Sequence, residues 1–157
     1  MRFQIILIVF ALCPLFLFGQ SKSVKKFYNK YANYENVSDV TLQGWVLKMA
    51  SNFADDETAE RMLEKITKLR VLTMENGNLV HPSDYSKLMR EVRSDNFEDL
   101  IQIQSGTEHI NMLIREDGET ITDVVLFVND ADNFLLLSLE GALKFSDLQN
   151  INIDVDG

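Results

Sequence analysis

Apolar residues recur at two different periods along this chain, and the switch between them divides it into halves. In residues 23–34, Val24, Phe27, Tyr31 and Tyr34 fall at three- and four-residue steps, the spacing of one helical stripe. Lys22, Lys25, Lys26 and Lys30 fill the rest of the segment, and no acid follows until Glu35. Such a basic amphipathic helix either lies on an anionic membrane surface or packs its aromatic side on its own domain; the short stripe favours packing. Residues 37–42 alternate with period two and predict a first strand. Residues 45–53 predict a short helix with Val46, Met49, Ala50 and Phe53 facing inward. Residues 56–67 predict another, capped by Asp55 and Asp56, with Met62, Leu63 and Ile66 towards the core. A strand over 69–74 ends at the turn residues Asn76-Gly77-Asn78. Pro82 then opens a helix over 81–94 whose stripe is Tyr85, Leu88, Met89 and Val92.

Beyond residue 94 the period becomes two. Segments 97–104, 108–116, 119–128 and 134–139 are four successive strand candidates. Asp117-Gly118 predicts a two-residue hairpin turn, because such turns need positive φ at their central positions. That register sets Ile114 against Ile121 and Ile110 against Val125. It gathers Ile110, Met112, Ile114, Ile121, Val125 and Phe127 on a core face. Asp123 falls on the same face, which calls for a bulge or an edge position there. The opposite face carries Leu113, Val124, Leu126 and Val128 among polar residues. This is either an interface or a surface covered by the first helix or the last turn. Leu135-Leu136-Leu137-Ser138-Leu139 is apolar on both faces, as a central strand should be, and residues 145–150 predict a closing helical turn. Helices early and a meander late predict an α+β fold, with helices packed on one face of a mostly antiparallel sheet.

Composition adds limits. The 157 residues are 46% hydrophobic and 25% charged, which fits a single globular domain. A net charge of −9 argues against a nucleic-acid partner, since phosphate neutralisation needs clustered Lys and Arg. The charge is unevenly spread. Residues 20–94 hold 12 Lys/Arg and 10 Asp/Glu, whereas residues 95–157 set only Arg115 and Lys144 against 14 acids. The acidic half is either a solvated surface or one that awaits a basic partner.

The N-terminus reads as an export signal. Arg2 precedes an uncharged run of 14 residues over 5–18, followed by Gly19-Gln20-Ser21. Residues 1–19 are expected to be a cleaved signal peptide, leaving a single domain over 20–157. The run falls short of the roughly 20 apolar residues of a spanning helix, and Pro14 interrupts it. Cys13 follows Leu12 inside the run rather than closing it behind a small residue, so a lipoprotein is not expected. The expectation is an exported protein of the periplasm or extracellular space, with no stable membrane span after cleavage.

Catalytic patterns do not emerge. His81 and His109 lie 28 positions apart, and the chain has no HExxH, no paired cysteines, no GxSxG and no Gly-rich phosphate loop. Asn129-Asp130-Ala131-Asp132-Asn133 lacks the glycine and glutamate of a calcium loop and predicts a polar turn. No catalytic residue, metal ligand or cofactor is predicted, and the expectation is a protein that is not an enzyme.

Three stretches carry a resemblance: Lys87-Leu88-Met89-Arg90-Glu91-Val92-Arg93; Ile110-Asn111-Met112-Leu113-Ile114-Arg115-Glu116-Asp117-Gly118; and Leu137-Ser138-Leu139-Glu140-Gly141 with Asp147-Leu148. With these, the chain over about residues 40–151 resembles the exported proteins of Bacteroidota grouped as domain-of-unknown-function family 4252. The resemblance implies envelope localisation with a signal peptide or lipobox; it implies no activity and no site residues. Genes of that family often accompany alternative sigma factors of the envelope-stress type, which implies an association with regulation. The resulting expectation is a non-enzymatic envelope protein that binds a protein or peptide, with Leu113, Val124, Leu126 and Val128 as candidate interface. The alternative is a small-molecule or lipid binder with a pocket between helices and sheet.

Overall fold

The structure, a computed structural model, describes residues 21–149. The expected signal segment, with Cys13 and the Gly19–Gln20 junction, lies outside the described residues. Within them the order is α1 (Lys22–Tyr31), β1 (Val37–Gln43), α2 (Gly44–Ser51), α3 (Glu57–Lys65), β2 (Ile66–Met74), α4 (Pro82–Ser94), β3 (Glu98–Ser105), β4 (Glu108–Asp117), β5 (Thr120–Asn129), β6 (Phe134–Leu143) and α5 (Phe145–Gln149). The six strands form one sheet in the order β1-β2-β6-β5-β4-β3, with every neighbouring pair antiparallel. This is an α+β fold with a late meander. β6, apolar on both faces, sits in the interior of the sheet between β2 and β5.

The helices, expected on one face, divide between two. Val24, Phe27, Tyr28 and Tyr31 of α1 and Leu88, Met89 and Val92 of α4 pack over Leu72, Met74, Leu113, Val125, Phe127, Phe134 and Leu136. The aromatic stripe of α1 is thus inside the domain, and only Tyr34 beyond its end is exposed. Fully buried Tyr28 anchors it: the hydroxyl lies 2.9 Å from Arg70 O, 3.2 Å from Leu136 O and 3.0 Å from Ser138 Oγ. The Arg70 guanidinium stacks 4.1 Å from the Tyr28 ring centre and forks onto Asp39 at 2.9 and 2.6 Å.

On the opposite face, Leu47 of α2, Met62 and Leu63 of α3 and Leu148 of α5 meet Ile66, Ile114, Ile121, Val124, Leu139 and Leu143. Here α2 is turned over relative to expectation. Leu47 faces the sheet, while Met49 and Phe53, assigned inward from the sequence, are exposed. Asp56 caps α3, its carboxylate accepting from the Ala59 N–H at 3.3 Å. Gly141 lets the α3–β2 junction pass close to β6, since a Cβ there would fall inside contact distance of the Lys65 carbonyl oxygen.

The β4–β5 hairpin is present, but its register differs from the expected one. Asp117 pairs with Thr120, so the central turn residues are Gly118 and Glu119, and only Gly118 has positive φ (62°). The pairing then steps from Glu116↔Ile121 to Arg115↔Asp123, leaving Thr122 as the extra residue of a bulge. Beyond it Ile114 faces Val124 and Ile110 faces Val128. Val125 and Phe127 therefore join the α1/α4 core, and Met112, Ile114 and Ile121 the other.

Candidate functional site

The bulge decides where each expected interface residue goes. Leu113 pairs with Val125 and is sealed under α1 and α4, so it shares no surface with the other three. Val124 is on the α2/α3 face but is only 4% exposed, beneath that helix layer. Leu126 and Val128 remain, half-buried on a part of the face that the helices leave open. The four-residue surface is corrected to these two and their cross-strand neighbours.

The helix layer covers one end of this face, over Leu42, Leu69, Leu139, Val124 and Ile114. The next row across all six strands is Val40, Val71, Leu137, Leu126, Met112 and Ile101, each directly opposite the next. The row after it is Ser38, Thr73, Leu135, Val128, Ile110 and Ile103. Those two rows hold ten apolar residues, a Ser and a Thr, and no charge; Met112 is buried with the α2/α3 core, and the other nine apolar residues are half-buried or exposed. Val40 and Ile103, at the two edges, are 48% and 46% exposed. Uncharged apolar surface of this extent on a sheet is disfavoured in water and characteristic of a contact.

A second apolar feature stands on the same side. Trp45, Met49 and Phe53, at four-residue steps along and just past α2, are 67%, 59% and 85% exposed. At about 100° per residue Trp45 and Met49 sit opposite Leu47 around the helix, so they point away from the sheet. Sequence reasoning missed this stripe because a helix apolar on both sides gives no periodic signal for which side is inside.

Polar chemistry collects elsewhere. An open groove of about 700 Å³ lies between the start of α4 (Pro82, Tyr85, Ser86), the β3–β4 turn (Gly106, Thr107, His109) and the β5–β6 turn (Asn129, Asp130, Ala131). Behind Tyr85, the buried Asn111 donates from Nδ2 to the Tyr85 hydroxyl at 2.7 Å, and its Oδ1 has no hydrogen-bond partner. Burial raises the Tyr85 pKa and the Asn111 bond lowers it, with a net rise, so the phenol stays protonated. Asp130 is engaged within its own turn, accepting from the Asp132 and Asn133 N–H groups at 2.7 Å each. Those bonds depress its pKa. Among the described residues no group of three or more His, Cys, Asp or Glu is placed to hold a metal ion.

The family described as Domain of unknown function (DUF4252) matches residues 28–151. The chain belongs to this family. No curated protein and no solved structure matches it. The DUF4252 match begins at Tyr28 within α1 and runs through α5, so the uncovered rows and both cores, apart from Val24 and Phe27 of α1, lie inside the family domain. Among the described residues no helix of this DUF4252 protein is long and apolar enough to cross a membrane.

Proposed function

We propose that this DUF4252 protein is a non-enzymatic binding module of the bacterial envelope that docks another protein surface on the uncovered half of its sheet. One observation carries the reading: the two cross-strand rows beyond the helix layer hold nine apolar side chains that are half-buried or exposed, and no charge. Burying such a face contributes about 25 cal/mol per Å² of apolar area, and the absence of charged groups removes the desolvation cost. Export through the signal-like segment would put the module in the envelope, where a link to stress regulation fits the family's gene associations.

The test is titration with an apolar fluorescent dye. The wild-type chain should bind it, and a Val40→Lys, Ile103→Lys double variant should bind much less while circular dichroism is unchanged. Equal binding by both proteins would remove the face from consideration.

A second reading rests on Tyr85. Its side chain lines the groove at the start of α4, and its hydroxyl, held by the Asn111 amide at 2.7 Å, supports a small polar ligand there. Thermal-shift screening of small polar metabolites against wild type and Tyr85→Phe tests it; hits indifferent to Tyr85→Phe would refute it.

A further inference from the structure

The uncovered half-face and the outward stripe of α2 are complementary, and they belong to the same side of one molecule. The helix layer occupies one end of the face and leaves the other, apart from Met112, only half-buried or exposed. A two-fold axis parallel to the sheet, running across the strands between covered and uncovered halves, carries the α2 of a second copy over the uncovered half of the first. The stripe opposite Leu47 then points down onto the partner's sheet, because it points away from its own. The same operation fills both uncovered halves at once, which is the self-complementary arrangement of a closed dimer.

We propose that a second copy of this chain is the occupant, with Trp45, Met49 and Phe53 of each copy seated on the half-face that includes Val40, Val71 and Leu137 of the other. This rests on the reading of that face as a docking surface and names its partner. Area is the first argument. Two rows across six strands cover roughly 400 Å², from ~4.8 Å between strands and ~6.8 Å between rows. Three large, mostly exposed side chains add about 400 Å². The sum, about 800 Å² per copy, is what each partner contributes to a standard stable interface. Charge is the second. The two rows hold no charged side chain to select a basic partner, so affinity must come from apolar burial, and an identical surface offers it. Net charge is −9 per copy, so the copies repel at long range and added salt should tighten the dimer. A basic partner would respond in the opposite sense.

Trp45 is the single tryptophan and reports on the contact directly. The experiment is sedimentation of the chain from Gln20 onward, which carries every element of the fold, with tryptophan emission followed over the same concentrations. A dimer is expected, with Trp45 emission moving to longer wavelength on dilution. Val40→Lys and Met49→Glu, both at exposed positions, should each raise the dimer Kd by about tenfold or more, while Leu100→Lys, on β3 outside the contact, should not. A wild-type chain that sediments as a monomer with invariant emission overturns the inference. If that monomer still binds the apolar dye and Val40→Lys abolishes binding, the docking face survives with a different occupant; if it binds no dye, both readings fail. A dimer indifferent to Val40→Lys and Met49→Glu is built elsewhere and equally refutes the proposal.

Discussion

Arg115 and Asp123 lie directly opposite one another on β4 and β5, with Arg115 Nε and an Nη within 2.9 and 2.8 Å of the same carboxylate oxygen. Thr122, the bulged residue, brings its hydroxyl 2.8 Å from that oxygen, and the guanidinium lies 5.0 Å from the Phe97 ring centre. An acid among apolar positions is thus accommodated by the bulge that breaks the alternation. Removing one partner of a buried pair leaves the other uncompensated.

Asp123→Ala should therefore destabilise the domain by about 2 kcal/mol or more, since the carboxylate is nearly enclosed and the cation only partly exposed. Urea unfolding of the two proteins measures it. A midpoint within error of wild type would show that the pair contributes nothing.

Tyr28→Phe removes one hydroxyl from three polar partners under α1, the Arg70 and Leu136 carbonyls and the Ser138 hydroxyl. The expected cost is about 1–3 kcal/mol, set by the polar groups left unsatisfied. Burial raises the Tyr28 pKa, ahead of the opposing Ser138 bond and the Arg70 charge, so the phenol remains neutral in the folded chain. Ultraviolet titration of the tyrosines should show at least one group that ionises only on unfolding; complete titration of a folded chain at the ordinary tyrosine pKa contradicts this.

Gly141→Ala should lower the melting temperature, because the added methyl meets the Lys65 carbonyl oxygen and lies 3.1 Å from Ile66 Cα, both main chain and unable to swing aside. An unchanged melting temperature would mean that α3 and β6 are not so close. This contact supplies a physical role for the glycine that closes Leu139-Glu140-Gly141.

Two carboxylates make acid stability predictable. Burial raises the pKa of Asp95, but hydrogen bonds from the Ser21 and Ser23 hydroxyls and the Ser23 N–H outweigh it and leave it depressed. Asp147 behaves likewise, its burial outweighed by Lys65 and the Lys144 N–H. A depressed folded pKa stabilises above the unfolded value of about 3.9, and the gain is lost as pH falls towards the folded value. Unfolding midpoints should decline below about pH 4, and the decline should be shallower in Asp95→Asn. Identical pH profiles would exclude Asp95 as a contributor.

The strands of the second half were legible in the sequence because each alternates or is uniformly apolar for several residues; what failed was parity. Thr122 adds one residue between Ile121 and Asp123, and a one-residue slip turns every later side chain to the other face. That slip separated Leu113 from Leu126, and set Val125 and Phe127 apart from Met112. The second failure was α2, apolar on both sides, where the inward residue was Leu47 and the outward Trp45 and Met49. The uncovered rows were half-visible in Leu126 and Val128. Their extent was not, because it depends on β6 lying between β2 and β5, an adjacency that no local pattern encodes.

That adjacency also sets a timetable. Among the described residues, the only ladder joining the β1–β2 pair to the β3–β4–β5 meander is β6, their last strand, with Leu69 through Met74 on one side and Ile121 through Asn129 on the other. Until residues 134–143 are available, the inner edge of β2 and the inner edge of β5 both lack partners, and two separate sheets of two and three strands are all that can form. The middle of this molecule is made last, so a chain cut short before Phe134 loses more than its end. It loses the piece that makes one sheet out of two.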